Sequence, residues 1–291
     1  MNASPWQALA LELDRWSAAG RQIGLWLRDD DAVAPSPALD RLSELAERFA
    51  APTLLAVIPL LAEPALATAL RGKPLLRPCQ HGASHLNHAP AGSKKAEFGA
   101  EREAAAVDGD VTRGWLRLRD LLGEAALPIF VPPWNRIAQS HAARLPALGF
   151  AGLSCFRDYR LGPGGGPRLL STHIDIMDWH GGRIGRPAND IVAEFVALLA
   201  ERRQTEAGDI ELGLLLHHRD HDETAWSALT DILGAATAHP AVRVVDPATL
   251  PQPSGGGLQR EPRPAIGAIN HHGSSRLTAA RRAWIVPDDP L

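Results

Sequence analysis

Leu75-Leu76-Arg77-Pro78-Cys79-Gln80-His81-Gly82-Ala83-Ser84-His85-Leu86-Asn87-His88 carries an apolar run straight into three histidines. The first five residues read as a short buried strand, and the histidines follow at its C-terminal end. His81 and His85 are four residues apart, so one helical turn or a tight loop points both rings the same way and suits a divalent metal. A catalytic zinc takes about three protein ligands and keeps one position open. Two imidazoles therefore ask for a carboxylate from elsewhere. Surface loops also collect histidines at this spacing, so the rest of the chain has to decide.

Working outward, the same pattern recurs. Ile23-Gly24-Leu25-Trp26-Leu27 ends at Arg28-Asp29-Asp30-Asp31, and Thr53-Leu54-Leu55-Ala56-Val57-Ile58 is stopped by Pro59. Pro128-Ile129-Phe130-Val131 ends at Pro132-Pro133-Trp134-Asn135-Arg136, and Gly152-Leu153-Ser154-Cys155-Phe156 precedes a Gly/Pro-rich loop. Residues 169–176 run into Asp175-Ile176-Met177-Asp178-Trp179, residues 210–216 land on His217-His218, and Val242-Arg243-Val244-Val245 is the last apolar run. Helical patterns lie between them: a stripe of Leu39, Leu42, Leu45 and Phe49, then residues 64–70, 96–122 with a break expected near Asp108-Gly109-Asp110, 138–148 stopped by Gly149, 190–203 and 223–236. Eight strands alternating with helices describe a (β/α) barrel or a doubly wound sheet. About 230 residues for eight units fits a compact barrel.

The unusual polar residues all follow strand C-termini, the face on which barrel enzymes carry their chemistry. Each has an ordinary explanation: a solvated turn for the aspartates, a rigid turn for Pro132-Pro133, caps for Asp175 and Asp178, a core histidine for His217. Residues that only filled surface loops would appear at both ends of the strands. Several carboxylates at one barrel mouth also repel each other unless a cation neutralises them.

Composition narrows the class. The chain has 291 residues, 45% hydrophobic and 22% charged, with a net charge of −3 and two cysteines. No basic face speaks for nucleic-acid binding, and Cys79 and Cys155 form no C-x-x-C pair or disulfide framework. Residues 1–20 have apolar positions at helical spacing (Trp6, Leu9, Leu13, Trp16) interrupted by charges, an amphipathic helix rather than a signal peptide. No stretch approaches the ~18 apolar residues of a membrane span, and the expectation is a cytoplasmic protein. Residues 21–250 form one barrel domain. Residues 251–291 begin Pro251-Gln252-Pro253-Ser254-Gly255-Gly256-Gly257, include His271-His272, and read as a poorly structured Pro/Gly-rich tail.

The ordered set of motifs resembles the polysaccharide deacetylases, carbohydrate esterase family 4, over roughly residues 20–250. The resemblance implies a distorted (β/α) TIM-like barrel. Asp30-Asp31-Ala32 is similar to the family's Asp-Asp-Gly; a one-residue shift would put Asp29-Asp30 there, and Asp30 belongs to the site in both registers. His81-Gly82-Ala83-Ser84-His85 matches His-(Ser/Thr)-x-x-His except that Gly82 replaces the hydroxyl residue. Val131-Pro132-Pro133-Trp134 resembles Arg-Pro-Pro-Tyr but lacks its arginine, which orients the catalytic aspartate; Arg28 and Arg136 are the candidates to replace it. Asp175-Ile176-Met177-Asp178-Trp179 matches Asp-x-x-Asp-Trp, and Leu215-Leu216-His217 matches Leu-x-His.

By that resemblance the chain is a metal-dependent hydrolase that removes an N- or O-acetyl group from a carbohydrate, with metal-bound water as nucleophile. Asp31, His81 and His85 would hold the divalent metal, zinc first among the choices. Asp30 would be the general base, His217 the acid and Asp178 its carboxylate partner. Trp134 would offer its backbone N–H to the oxyanion, Trp179 would wall the acetyl pocket, and Asp29 and Asp175 would face substrate. His88, Lys94, Lys95 and Arg136 would meet an anionic sugar or else form a solvated loop. A soluble or lipid-linked sugar precursor fits a cytoplasmic location, and the oligomeric state stays open. Two other readings fit the same residues: an amidase acting on a non-sugar amide, and a metal- or sugar-binding barrel without catalysis.

Overall fold

The computed structural model describes residues 4–250; the tail at 251–291 lies outside the described residues. The strands are β1 (Ile23–Ala32), β2 (Thr53–Val57), β3 (Leu76–His81), β4 (Leu127–Val131), β5 (Gly152–Phe156), β6 (Arg168–Asp175), the short pair β7 (Met177–Asp178) and β8 (Ile184–Gly185), β9 (Ile210–Leu216) and β10 (Val242–Val244). Among the described residues seven parallel strands, β1 to β6 and β9, close a barrel, with β9 pairing back onto β1 from Ile23↔Ile210 to Asp29↔Leu216. The eighth expected strand is not a stave. β10 pairs only with residues 23–25 of β1, along the edge left open before β2 begins at Leu27↔Thr53. The other edge of β1 is already taken by β9.

The helices are α1 (Pro5–Ala18), α2 (Pro37–Arg48), α3 (Pro64–Leu70), α4 (Ala104–Leu122), α5 (Gln139–Ala142), α6 (Ala188–Thr205) and α7 (Glu223–Thr237). Their starts are chemically marked. Ser4 and Gln7 form a reciprocal capping box on α1. Ser36 Oγ accepts the Leu39 N–H of α2, with Pro37 in the first turn, and Asp222 accepts the Ala225 N–H of α7. Each satisfies an orphan N–H that the helix cannot satisfy itself.

Two expected helices are shorter than their sequence patterns. Residues 96–103 are not helical although their Glu/Ala content favours it, and α4 runs unbroken through Asp108-Gly109-Asp110. Residues 138–148 divide into α5 and a 3-10 turn, Leu145–Leu148, because Pro146 has no N–H to continue an α-helix. Gly149 ends it at φ +96°, where a glycine pays no Cβ penalty.

Side chains alternate along a strand, and this splits the core into two layers. Leu25 and Leu27 of β1 face the helices, among Leu9, Leu13 and Trp16 of α1 and Phe195 and Leu199 of α6. Trp26 turns inward to Leu54, Ala56, Cys79, Ile129 and Val131. The indole occupies the space beside β9 so closely that a Cβ on Gly213 would lie 2.7 Å from it. Continuing the inward series, Arg28 and Asp30 climb from this apolar floor to the C-terminal mouth. Among the described residues no helix is long and apolar enough to cross a membrane.

Candidate metal centre and active site

Asp31 belongs by alternation on the outside with Asp29, yet it joins the mouth. Between Asp29 and Ala32 the β1–β2 register slips by one residue, and Asp31 takes φ +72°. A bulge of this kind re-aims a side chain, so two consecutive aspartates, 30 and 31, face the same mouth. Asp31 Oδ1 lies 3.1 Å from His81 Nε2 and 3.4 Å from His85 Nε2. It is buried, and neither ring nitrogen is aligned as a hydrogen-bond donor to it. The three ligand atoms lie within 4.8 Å of one another.

His81 Nδ1 is 3.1 Å from the Val131 carbonyl, which accepts a hydrogen bond from Nδ1–H, and Nε2 is the nitrogen that faces Asp31. That outer hydrogen bond is the usual orientation device of a metal-ligating histidine. The charges around the trio are strongly coupled. Burial pushes Asp31 up, but contact with His81 and the charges of His81, His85 and His217 more than reverse this and hold it well below the carboxylate range. Burial lowers His81, yet Asp30 and Asp31 raise it overall. Burial and the His81 charge lower His85. An orphaned carboxylate oxygen between two imidazole nitrogens fits a divalent cation.

The loop carrying His81 and His85 is held by a residue that the sequence pattern hid in an expected helix. Glu97 is fully buried and accepts from Ala83 N, Ser84 N and Ser84 Oγ at 3.2, 2.9 and 3.2 Å. Gly82 (φ +56°) makes room for it: a Cβ there would lie 2.1 Å from Glu97 Oε2 and 2.6 Å from Pro133.

Arg28, wholly buried, donates to Asp30 Oδ2 at 2.9 Å, Ser154 Oγ at 2.9 Å and Asn135 Oδ1 at 2.6 Å. Arg136 instead donates to the Lys95 carbonyl. Of the two candidate arginines, Arg28 is the one that grips Asp30. Asp30 Oδ1 stays buried without a hydrogen-bond partner among the described residues. His217 Nε2 lies 3.9 Å from Asp30 Oδ2, and its ring meets the edge of Trp179 at 4.6 Å. Asn135 went unread in the sequence. Its φ of +57° follows Trp134 at +55°, and this double left-handed turn lays the Trp134 ring on His85, with centroids 4.4 Å apart.

Two expectations need correction, those for Asp178 and Asp29. Asp178 does not partner His217; its Oδ1 accepts from the His180 and Gly181 N–H groups in the turn after β7. Asp175 is the carboxylate beside His217, with Oδ2 on Trp179 Nε1 at 2.8 Å and Oδ1 on Met177 N at 2.9 Å. Burial raises it, partly offset by the His217 charge and these hydrogen bonds. Asp29 faces away from the mouth and is wholly buried against His218. His88 is exposed, with its backbone N–H on the Ala96 carbonyl, and Lys94 and Lys95 are exposed beside it.

No family model matches the chain, and no curated protein matches it by sequence. Solved structures do. A candidate polysaccharide deacetylase from Mycobacterium smegmatis superposes with a TM-score of 0.58 at 17% identity, over 80% of this chain and 90% of that one. The fold is that of the polysaccharide deacetylases. A second structure of this deacetylase fold, a mutant of a carbohydrate esterase family 4 pseudoenzyme with restored enzymatic activity, superposes at 0.51 and 12% identity over 79% of this chain and 68% of that one.

Proposed function

We propose that the chain is a metal-dependent deacetylase acting on an acetylated carbohydrate. The observation that carries this is Asp31 Oδ1, buried between His81 Nε2 and His85 Nε2 and without a hydrogen-bond partner among the described residues. Asp31, His81 and His85 hold a divalent ion, zinc first among candidates for two imidazoles and one carboxylate. When bound, the ion supplies a polarised acyl carbonyl and a water whose pKa falls toward ~7.

The chain's own residues do the rest. Asp30 takes the proton of the attacking water onto Oδ1, the oxygen Arg28 leaves free. The Arg28 hydrogen bond on Oδ2 fixes the carboxylate in rotation. His217 Nε2 gives a proton to the departing nitrogen or oxygen. Asp175 stands beside His217 and anchors the Trp179 indole, which walls the acetyl pocket. The Trp134 N–H donates to the developing oxyanion.

His217→Ala should keep its metal and lose turnover by about 10²–10⁴, the usual contribution of a positioned acid. Acetate release from N-acetyl sugars, beside metal content, checks this; full activity in that variant would remove His217 from the mechanism. Glu97→Gln turns an acceptor oxygen into an NH2 facing N–H groups. It should weaken metal retention by about tenfold or more, read by competition with a chelating dye. Unchanged affinity would mean the loop holds itself. Hydrolysis of simple amides in preference to acetylated sugars would favour the amidase reading.

A further inference from the structure

The stretch His217-His218-Arg219-Asp220-His221 holds three histidines, and only the first faces the mouth. Strand β9 ends its ladder on β1 at Leu216↔Asp29, so the next peptide groups have no strand partner. Side chains replace it on both sides of the His217 Cα. The His217 N–H donates to His221 Nε2 at 3.2 Å. The next N–H, of His218, donates to Asp29 Oδ2 at 2.8 Å, and His218 Nδ1 bonds Asp29 Oδ1. Both flanking torsions of His217, φ −146° and ψ 77°, are therefore set by these acceptors. His221 is itself braced, its ring edge-to-face with Trp226 at 4.5 Å.

We propose that Asp29 and His221 are positioning residues that fix the backbone of His217 and thereby aim its imidazole at Asp30. Neither touches the mouth. The first aspartate of the Asp29-Asp30-Asp31 run thus faces outward and serves the residue at the end of the neighbouring strand. The inference rests on the reading of His217 as proton donor, and the variants separate the two.

His221→Phe keeps a ring on Trp226 but removes the acceptor, whereas His221→Gln returns an acceptor near the Nε2 position. The expected result on the metal-loaded protein is a kcat at least about tenfold lower in His221→Phe and Asp29→Ala, with KM and metal content unchanged, and recovery in His221→Gln. The full range open to a lost acid is ~10²–10⁴. In a His217→Ala background the same substitutions should cost nothing further, because partners acting through one group are not additive. A merely structural role would lower the residual rate there as well. Independently of activity, the His217 imidazole cross-peaks, assigned by their loss in His217→Ala, should move in His221→Phe and return in His221→Gln.

Unmoved His217 peaks and unchanged kcat in both His221→Phe and Asp29→Ala would overturn the proposal. If His217→Ala keeps full activity, the proton-donor reading fails instead. The peaks then still decide whether Asp29 and His221 orient that ring.

Discussion

Arg28→Leu is expected to lose about 3–5 kcal/mol of stability, the cost of leaving a buried charge without its partner, and nearly all turnover. The guanidinium is fully buried and is the group gripping Asp30 Oδ2, Asn135 and Ser154 at once. Without it the Asp30 carboxylate stays buried and loses the donor that fixes its orientation. Arg28→Lys cannot restore this, since one ammonium does not match a fork spanning three acceptors. The double variant Arg28→Leu/Asp30→Leu should regain part of the stability, because an apolar pair of similar volume replaces a buried ion pair at little cost, while staying inactive. Urea unfolding of the three variants checks the order. A single Arg28→Leu variant as stable and active as the parent would contradict the role given to the pair. Among the described residues the Arg136 side chain bonds a loop carbonyl alone, and Arg136→Ala should change stability by no more than about 0.5 kcal/mol.

Gly82→Ser would bring the sequence closer to the deacetylase pattern and is expected to disable the site. At φ +56° any Cβ is strained, by roughly 1–2 kcal/mol, and here it would also lie 2.1 Å from Glu97 Oε2. Glu97 would have to leave Ala83 N and Ser84 N, and those contacts hold the loop between His81 and His85. Metal affinity should fall by about 100-fold, the upper end for a disrupted outer contact. The variant's zinc affinity, measured by dye competition, is the check. Affinity equal to the parent's would mean that Glu97 can move without consequence for the ligands.

The barrel and its polar mouth were legible because each is a local signal: apolar runs both of whose faces are buried, ending in polar clusters at one end. The polar clusters and the family resemblance pointed to Asp30, Asp31, His81, His85 and His217, with the register of the three aspartates left open, and the structure brings these five to one mouth. What holds them was legible only in part: Arg28 and Arg136 were both candidates to orient the aspartate, and the choice of Arg28 rests on tertiary contacts. Arg28 reaches Asn135 and Ser154 across more than a hundred residues of chain, and nothing local marks such a contact. The bulge that turns Asp31 inward depends on how β1 meets β2. Glu97 lay within a run whose composition favours helix, and tertiary burial overrode that preference. Asp175 and Asp178 were distinguishable only by where β6 ends and where the turn after β7 begins: Asp178 caps that turn and Asp175 stands beside His217.

The most direct measurement is the metal content of the purified protein by mass spectrometry, beside Asp31→Ala/His81→Ala/His85→Ala. About one zinc-like ion per chain, lost in the variant, is the expected result. No ion retained after loading with zinc, or the same content in the variant as in the parent, would contradict a metal centre at the barrel mouth.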